Sequence, residues 1–206
     1  MKAEMPNKLP AKPRGRPRAF DVNDALDKAM HVFWKNGYEG TSLPDLTAAM
    51  GINRPSLYAT FGNKESLFRK AVDRYIEVFG IKLRTALNET TAKAAVAKLL
   101  TCSLPQSECG QISGCMLVQG ALACSDQAES IKQELADRRK SVELVLRERF
   151  ERALSEGELP AGTDVTALAK YYATFQQGLS VQMAGGATRE ELLRAIDVAM
   201  QAWPGS

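Results

Sequence analysis

The chain has 206 residues, 45% of them hydrophobic and 25% charged, with 27 Lys+Arg against 24 Asp+Glu. That length allows one large domain or a small domain joined to a larger one, and the composition excludes wholesale disorder. No run approaches the ~20 apolar residues of a membrane helix, and MKAEMPNKLP lacks the apolar stretch of a signal peptide, so a cytoplasmic protein with no membrane contact is expected. The four cysteines, at 102, 109, 115 and 124, are too sparse for a disulfide scaffold and should stay reduced.

The charge is unevenly spread. Residues 1–20 hold Lys2, Lys8, Lys12, Arg14, Arg16 and Arg18 against Glu4 alone, with four of the nine prolines. A segment of this kind cannot pack a core, so residues 1–19 are expected to form a disordered basic arm. It could be a solubilising tail or an arm for nucleic-acid phosphates and a minor groove. Arg14, Arg16 and Arg18 alternate with Gly15 and Pro17, which keep the backbone slim and extended, and this favours the second reading.

Past Phe20 the pattern is helical nearly throughout, with no bounded strand-type alternation. Asp21 can cap a first helix whose apolar face runs Ala25, Leu26, Ala29, Met30, Phe33, Trp34, and Asn36-Gly37 ends it. Two short helices are predicted at about 43–50 and 54–61, and a longer one from 64 into the eighties. Others follow near 91–103, 114–124 and 128–155. Glu156 to Pro160 breaks the chain before two last helices at about 164–184 and 188–203. The fold class is all-α.

The stretch TSLPDLTAAMGINRPSLYATF, Thr41 to Phe61, is the most informative. Leu46 and Met50 close one short helix, Gly51 permits the positive φ of a tight turn, and Ile52, Leu57 and Phe61 pack the next. This is helix-turn-helix spacing, which places the second helix in a DNA major groove with Arg54, Ser56, Tyr58 and Thr60 outward. Arg offers two donors to guanine, and the hydroxyls reach phosphates or base edges.

From about Gly15 to Phe68 the sequence resembles the tetracycline-repressor (TetR/AcrR) family of bacterial transcription regulators. The resemblance lies in GRPRAF, in ALDKAMHVFWKNGYEGTSLPDLTAAMGINRPSLYATFGNKESLF, and in the pattern LY-x-x-F-x-x-K-E-x-L from Leu57 to Leu67. It implies a three-helix DNA-binding domain over 20–64 and a larger helical effector-binding and dimerisation domain over 65–206. It also implies that Thr41 or Ser42 caps the second helix and touches phosphate. Arg54, Pro55 and Ser56 would line the base-reading face, and Tyr58 and Lys64 would bind phosphate. Thr60 stands where many members carry His, and Pro44 occupies a position that contacts bases in some relatives, so the operator sequence is not predicted.

The last two helices carry more apolar surface than one core face needs, including Val165, Leu168, Tyr171, Tyr172, Phe175, Leu179 and Met183, then Leu192, Leu193, Ile196, Met200 and Trp203. Paired with a second copy they would form a four-helix interface, although they could also simply close the monomer core. Two recognition helices one DNA turn apart need a dimer. No catalytic constellation is present: His31 stands alone, and there is no G-x-S-x-G, G-x-x-x-x-G-K-[ST] or H-E-x-x-H. The cysteine gaps do not match paired zinc ligands, so no enzyme, metal or cofactor is expected.

The reading is therefore a homodimeric repressor that leaves a palindromic operator when a small organic effector enters the C-terminal domain. Cys115, Met116, Gln119, Tyr172, Phe175 and Gln176 are the candidate effector contacts. A thiol sensor of oxidants or electrophiles is the alternative, weakened because no Lys or Arg lies between 99 and 131 to activate Cys115. An architectural DNA-binding protein without an effector is the third reading.

Overall fold

In the computed structural model, which describes residues 20–104, 114–122 and 128–205, every regular element is an α-helix. The expected basic arm with Arg14, Arg16 and Arg18, and the cysteines Cys109 and Cys124, lie outside the described residues. The order is α1 (Val22–Asn36), α2 (Leu43–Met50), α3 (Arg54–Phe61), α4 (Lys64–Leu87), α5 (Ala92–Cys102), α6 (Met116–Leu122), α7 (Glu129–Ser155), α8 (Val165–Ala184) and α9 (Arg189–Gln201).

Local chemistry sets the boundaries. Asp21 accepts the N–H groups of Asn23 and Asp24 to open α1. Ser42 and Asp45 form a reciprocal capping box on α2, and the Asn53 and Asn63 side chains cap α3 and α4. Gly51 ends α2 at φ 68° and ψ 29°, the left-handed conformation that lets α3 turn back across α2.

Two apolar clusters divide the core. The first joins Met30, Phe33, Trp34, Leu46, Leu57, Phe61, Leu67, Phe68 and Tyr75 to Met116, Leu117, Ile131 and Leu135. The α1–α3 unit therefore shares its core with α6 and the start of α7. The second cluster closes α5, α7, α8 and α9 around Leu100, Leu146, Phe150, Tyr172 and Trp203. Between them α4 extends from one cluster to the other. Asp27 of α1 grips Arg74 of α4 through two bonds of 2.7 and 3.2 Å, and Asp73 of α4 meets Arg138 of α7 at 2.6 Å. In the second cluster, buried Arg149 donates to Glu158 at 3.1 Å, and Glu158 also accepts the first N–H of α5 at Ala92.

Candidate nucleic-acid interface and ligand cavity

α3 is anchored by Leu57 and Phe61, both buried, and its opposite face is open. Arg54 and Pro55 are exposed at its first turn, Ser56 and Thr60 are half-buried, and Tyr58 stands 48% exposed. The helix thus offers a guanidinium and a phenol on one outward surface, while Ser56 and Thr60, expected to be outward as well, are less open. Lys64 lies at the start of α4 with its ammonium 4.6 Å from the centre of the Tyr38 ring. Burial pulls its pKa down, and Glu39 opposes that shift.

The alternative of Thr41 or Ser42 as the cap resolves to Ser42. Thr41 is buried, and its hydroxyl is donated to the Gly37 carbonyl at 2.7 Å, so it fastens the end of α1 and has no surface for phosphate. Ser42 is exposed, but its hydroxyl donates to Asp45 at 2.6 Å and accepts the Asp45 N–H. The Ser42 hydroxyl bond is the leading cause holding the Asp45 carboxyl below its ordinary pKa.

A cavity of about 210 Å³ lies where α4, α5, α7 and α8 surround the residues leading into α6. Tyr75, Phe79 and Leu83 of α4 form one side. Cys102 and Ser103 close the end of α5, while Arg138 and Val142 come from α7 and Gln176, Ser180 and Met183 from α8. Gly114, at φ 89°, passes so close to α8 that a Cβ would stand 2.7 Å from the Ser180 carbonyl oxygen and 2.2 Å from the Gln119 amide nitrogen. Its missing side chain lets Cys115 reach the cavity wall.

Of the six predicted effector contacts, Cys115 and Gln176 line this cavity and four do not. Met116 is buried in the first cluster instead. Gln119 folds back over Gly114. Tyr172 is fully buried, with its hydroxyl on the Ala199 carbonyl, and burial pushes its pKa up to about 12. Phe175 stacks on Tyr171. The helical period shows that these side chains face inward but not which inward-facing ones border space. The main residues missed are Trp34 of α1 and Tyr75 and Phe79 of α4, which read in the sequence as ordinary core.

The thiols sit in contrasting places on this wall. Burial pushes the Cys102 thiol up, against the weaker pull of Lys82 and Lys98. Cys115 Sγ accepts from the Tyr75 hydroxyl at 3.4 Å, and burial drives the Tyr75 phenol well above its ordinary pKa. Among the described residues there is no group of His, Cys, Asp and Glu able to hold a metal, and no helix long and apolar enough to cross a membrane. His31 is exposed, with its ring nitrogen on the Asp27 carbonyl.

A capped helix pair with a left-handed glycine turn and an outward second helix bearing Arg54 and Tyr58 defines a helix-turn-helix DNA-binding regulator. Residues 25–71 match the model of the bacterial regulatory proteins, tetR family. The chain is 36% identical over 199 residues to the HTH-type transcriptional repressor ComR of Escherichia coli (strain K12), covering 94% of this chain and 93% of that one. A cysteine variant of the TetR family regulator CifR, solved with a 26-base-pair operator, superposes with a TM-score of 0.87 at 42% identity, over 92% of this chain and all of that one. A TetR regulator from Rhodococcus sp. RHA1 is 46% identical with a TM-score of 0.60, over 90% of this chain and all of that one. The chain belongs to the TetR family of transcriptional regulators. That family is not one of enzymes.

Proposed function

We propose that this protein is a cytoplasmic repressor that binds a palindromic operator as a homodimer and releases it when a small organic molecule occupies the cavity. The observation that carries the reading is the course of α4. It begins at Lys64 beside the recognition helix and, through Tyr75, Phe79 and Leu83, walls the cavity further along. A ligand that favours one setting of α4 shifts the population of dimers whose two reading heads fit successive major grooves. The similarity to ComR, a repressor, and to CifR on its operator supports the DNA half of this reading.

In this assignment residues 1–19 are the basic arm, 20–64 the DNA-reading domain and 65–206 the effector and dimer domain. Arg14, Arg16, Arg18, Ser42, Tyr58 and Lys64 hold phosphates, while Arg54, Pro55, Ser56 and Thr60 face the bases. The dimer forms through α8 and α9, which leave Tyr171, Val181 and Val198 at 44%, 44% and 66% exposure. Apolar side chains this open on adjacent helices suit an isologous four-helix contact.

A thiol-based reading is favoured by one observation, that Cys102 and Cys115 share the cavity wall. The raised thiol pKa of Cys102 argues against it, because the thiolate is the reactive form. The deciding experiment replaces all four cysteines with Ser or Ala and titrates DNA release with hydrogen peroxide and with organic ligands, alongside calorimetric binding. Saturable organic binding and unchanged release in the variant support the noncovalent repressor. Peroxide-driven release in the parent that disappears in the variant overturns it in favour of redox sensing.

A further inference from the structure

Trp34 belongs to α1 of the DNA-reading unit, yet it lines the cavity. Only 8% of it is exposed, and its indole Nε1 is buried with no hydrogen-bond acceptor in reach among the described residues. Leaving a buried donor unmet costs about 1–3 kcal/mol, so the fold carries here a polar group that its own atoms do not satisfy. The ring is held edge-on against Tyr75 and Phe79, with centroids 5.2 and 5.1 Å away, and both of those residues are also cavity wall.

Most other hydroxyl, amide and guanidinium donors around the space are engaged, whereas the Lys82 ammonium has no carboxylate partner among the described residues and lies 5.5 Å from the centre of the Phe79 ring. The Tyr75 hydroxyl bonds Cys115, the Ser180 hydroxyl bonds the Gln176 carbonyl, and the Gln176 amide reaches the Ser103 hydroxyl at 3.5 Å. Arg138 is held by Asp73 and Glu134. The charged lining residues are Lys82 and Arg138, and no carboxylate lines the cavity among the described residues. The wall thus suits an electron-rich atom and disfavours a cation.

We propose that the ligand of this cavity is a compact apolar molecule bearing an oxygen acceptor, and that this oxygen takes the Trp34 indole N–H. The proposal rests on the effector reading above and names the ligand class and the residue that selects it. At about 210 Å³ the space exceeds the ~150 Å³ of a dry cavity that holds benzene, so one substituted ring or a chain of similar bulk fits. Because Nε1 is covered in this conformation, an acceptor reaches it only by displacing part of the wall that covers it. The indole is carried by α1, which packs on α2 and is tied to α4 by Asp27 and Arg74. Ligand selection and movement of the reading head therefore meet in one side chain.

The test uses full-length protein labelled with ¹⁵N. Its two tryptophans give two indole signals, and Trp34→Phe identifies one of them by its loss. The probes are acetophenone, benzoate and cumene, which supply a neutral carbonyl, a carboxylate and a similar shape without an acceptor. The expected result is a downfield shift of the Trp34 indole proton with acetophenone or benzoate, none with cumene, and a stationary Trp203. Whichever of the first two binds more tightly distinguishes a neutral from an anionic ligand. Trp34→Phe should weaken that probe about tenfold and cumene less than twofold. If all three probes perturb cavity residues while the Trp34 signal stays still, or the substitution weakens them equally, the inference fails and the effector cavity stands. If no probe perturbs the cavity at all, the cavity reading fails and takes the inference with it.

Discussion

Arg54 opens α3 with an exposed guanidinium that has no partner among the described residues, so Arg54→Ala separates DNA recognition from folding. In the folded protein the change should cost nothing. A cation in the first turn of a helix opposes its dipole by roughly 0.3–1 kcal/mol, and Ala is at least as good a helix former as Arg. Stability should stay level or rise by up to about 1 kcal/mol, read as an unchanged or higher urea midpoint. On DNA, a lost bidentate guanine contact costs about 1–3 kcal/mol, or roughly 5- to 150-fold in operator affinity, with relaxed preference at one base position. Fluorescence anisotropy on the operator and on single-base variants measures both effects at fixed salt. Unchanged affinity and base preference would refute the placement of α3 in the groove. A large fall in the urea midpoint would refute the claim that Arg54 is free of the fold.

Three further outcomes follow from the same geometry. Tyr58→Phe and Lys64→Ala should weaken specific and nonspecific DNA binding alike if, as proposed, their targets are phosphates, and Lys64→Ala should lower the salt slope by about one. Deleting residues 1–18 should leave the fold and dimer intact while lowering affinity and flattening log affinity against log salt; an unchanged slope would make the arm a solubilising tail. Glu158→Ala should destabilise the cluster of α5, α7, α8 and α9 by about 3 kcal/mol, since buried Arg149 loses its carboxylate while its Nε and Nη1 already lack partners among the described residues. Burial works against the Glu158 charge, but the Ala92 N–H and Arg149 outweigh it and hold its pKa below the ordinary value. Its contribution is therefore present at neutral pH and lost as pH falls below the usual carboxylate range, so the variant should show a flatter acid limb in thermal-melt profiles.

The sequence carried the reading head almost residue by residue because its signals are local. Caps at Ser42 and Asn53 and the glycine at 51 each act within four residues, and α2 and α3 begin and end where the pattern places them. Thr41 shows the limit: it is as good a capping type as Ser42, and only the path of the chain after Gly37 buries it. The cavity was far less legible. Tyr172 and Phe175 lie on an apolar face just as Trp34 and Tyr75 do, and periodicity does not say whether such a face meets another side chain or a space. That depends on how α1, α4 and α8 cross, which is a property of distant contacts. Gly114 is one of several glycines in this stretch, and its close pass under Ser180 appears only in three dimensions.

The central claim is that two copies of this helix-turn-helix read one symmetric site. It is tested most directly by footprinting the promoter beside the protein's own coding region with purified full-length protein. The account predicts protection of two inverted half-sites centred about 10–10.5 base pairs, or a multiple, apart, lost together on Arg54→Ala. Protection of a single unpaired half-site, or uniform coverage without sequence preference, would contradict it.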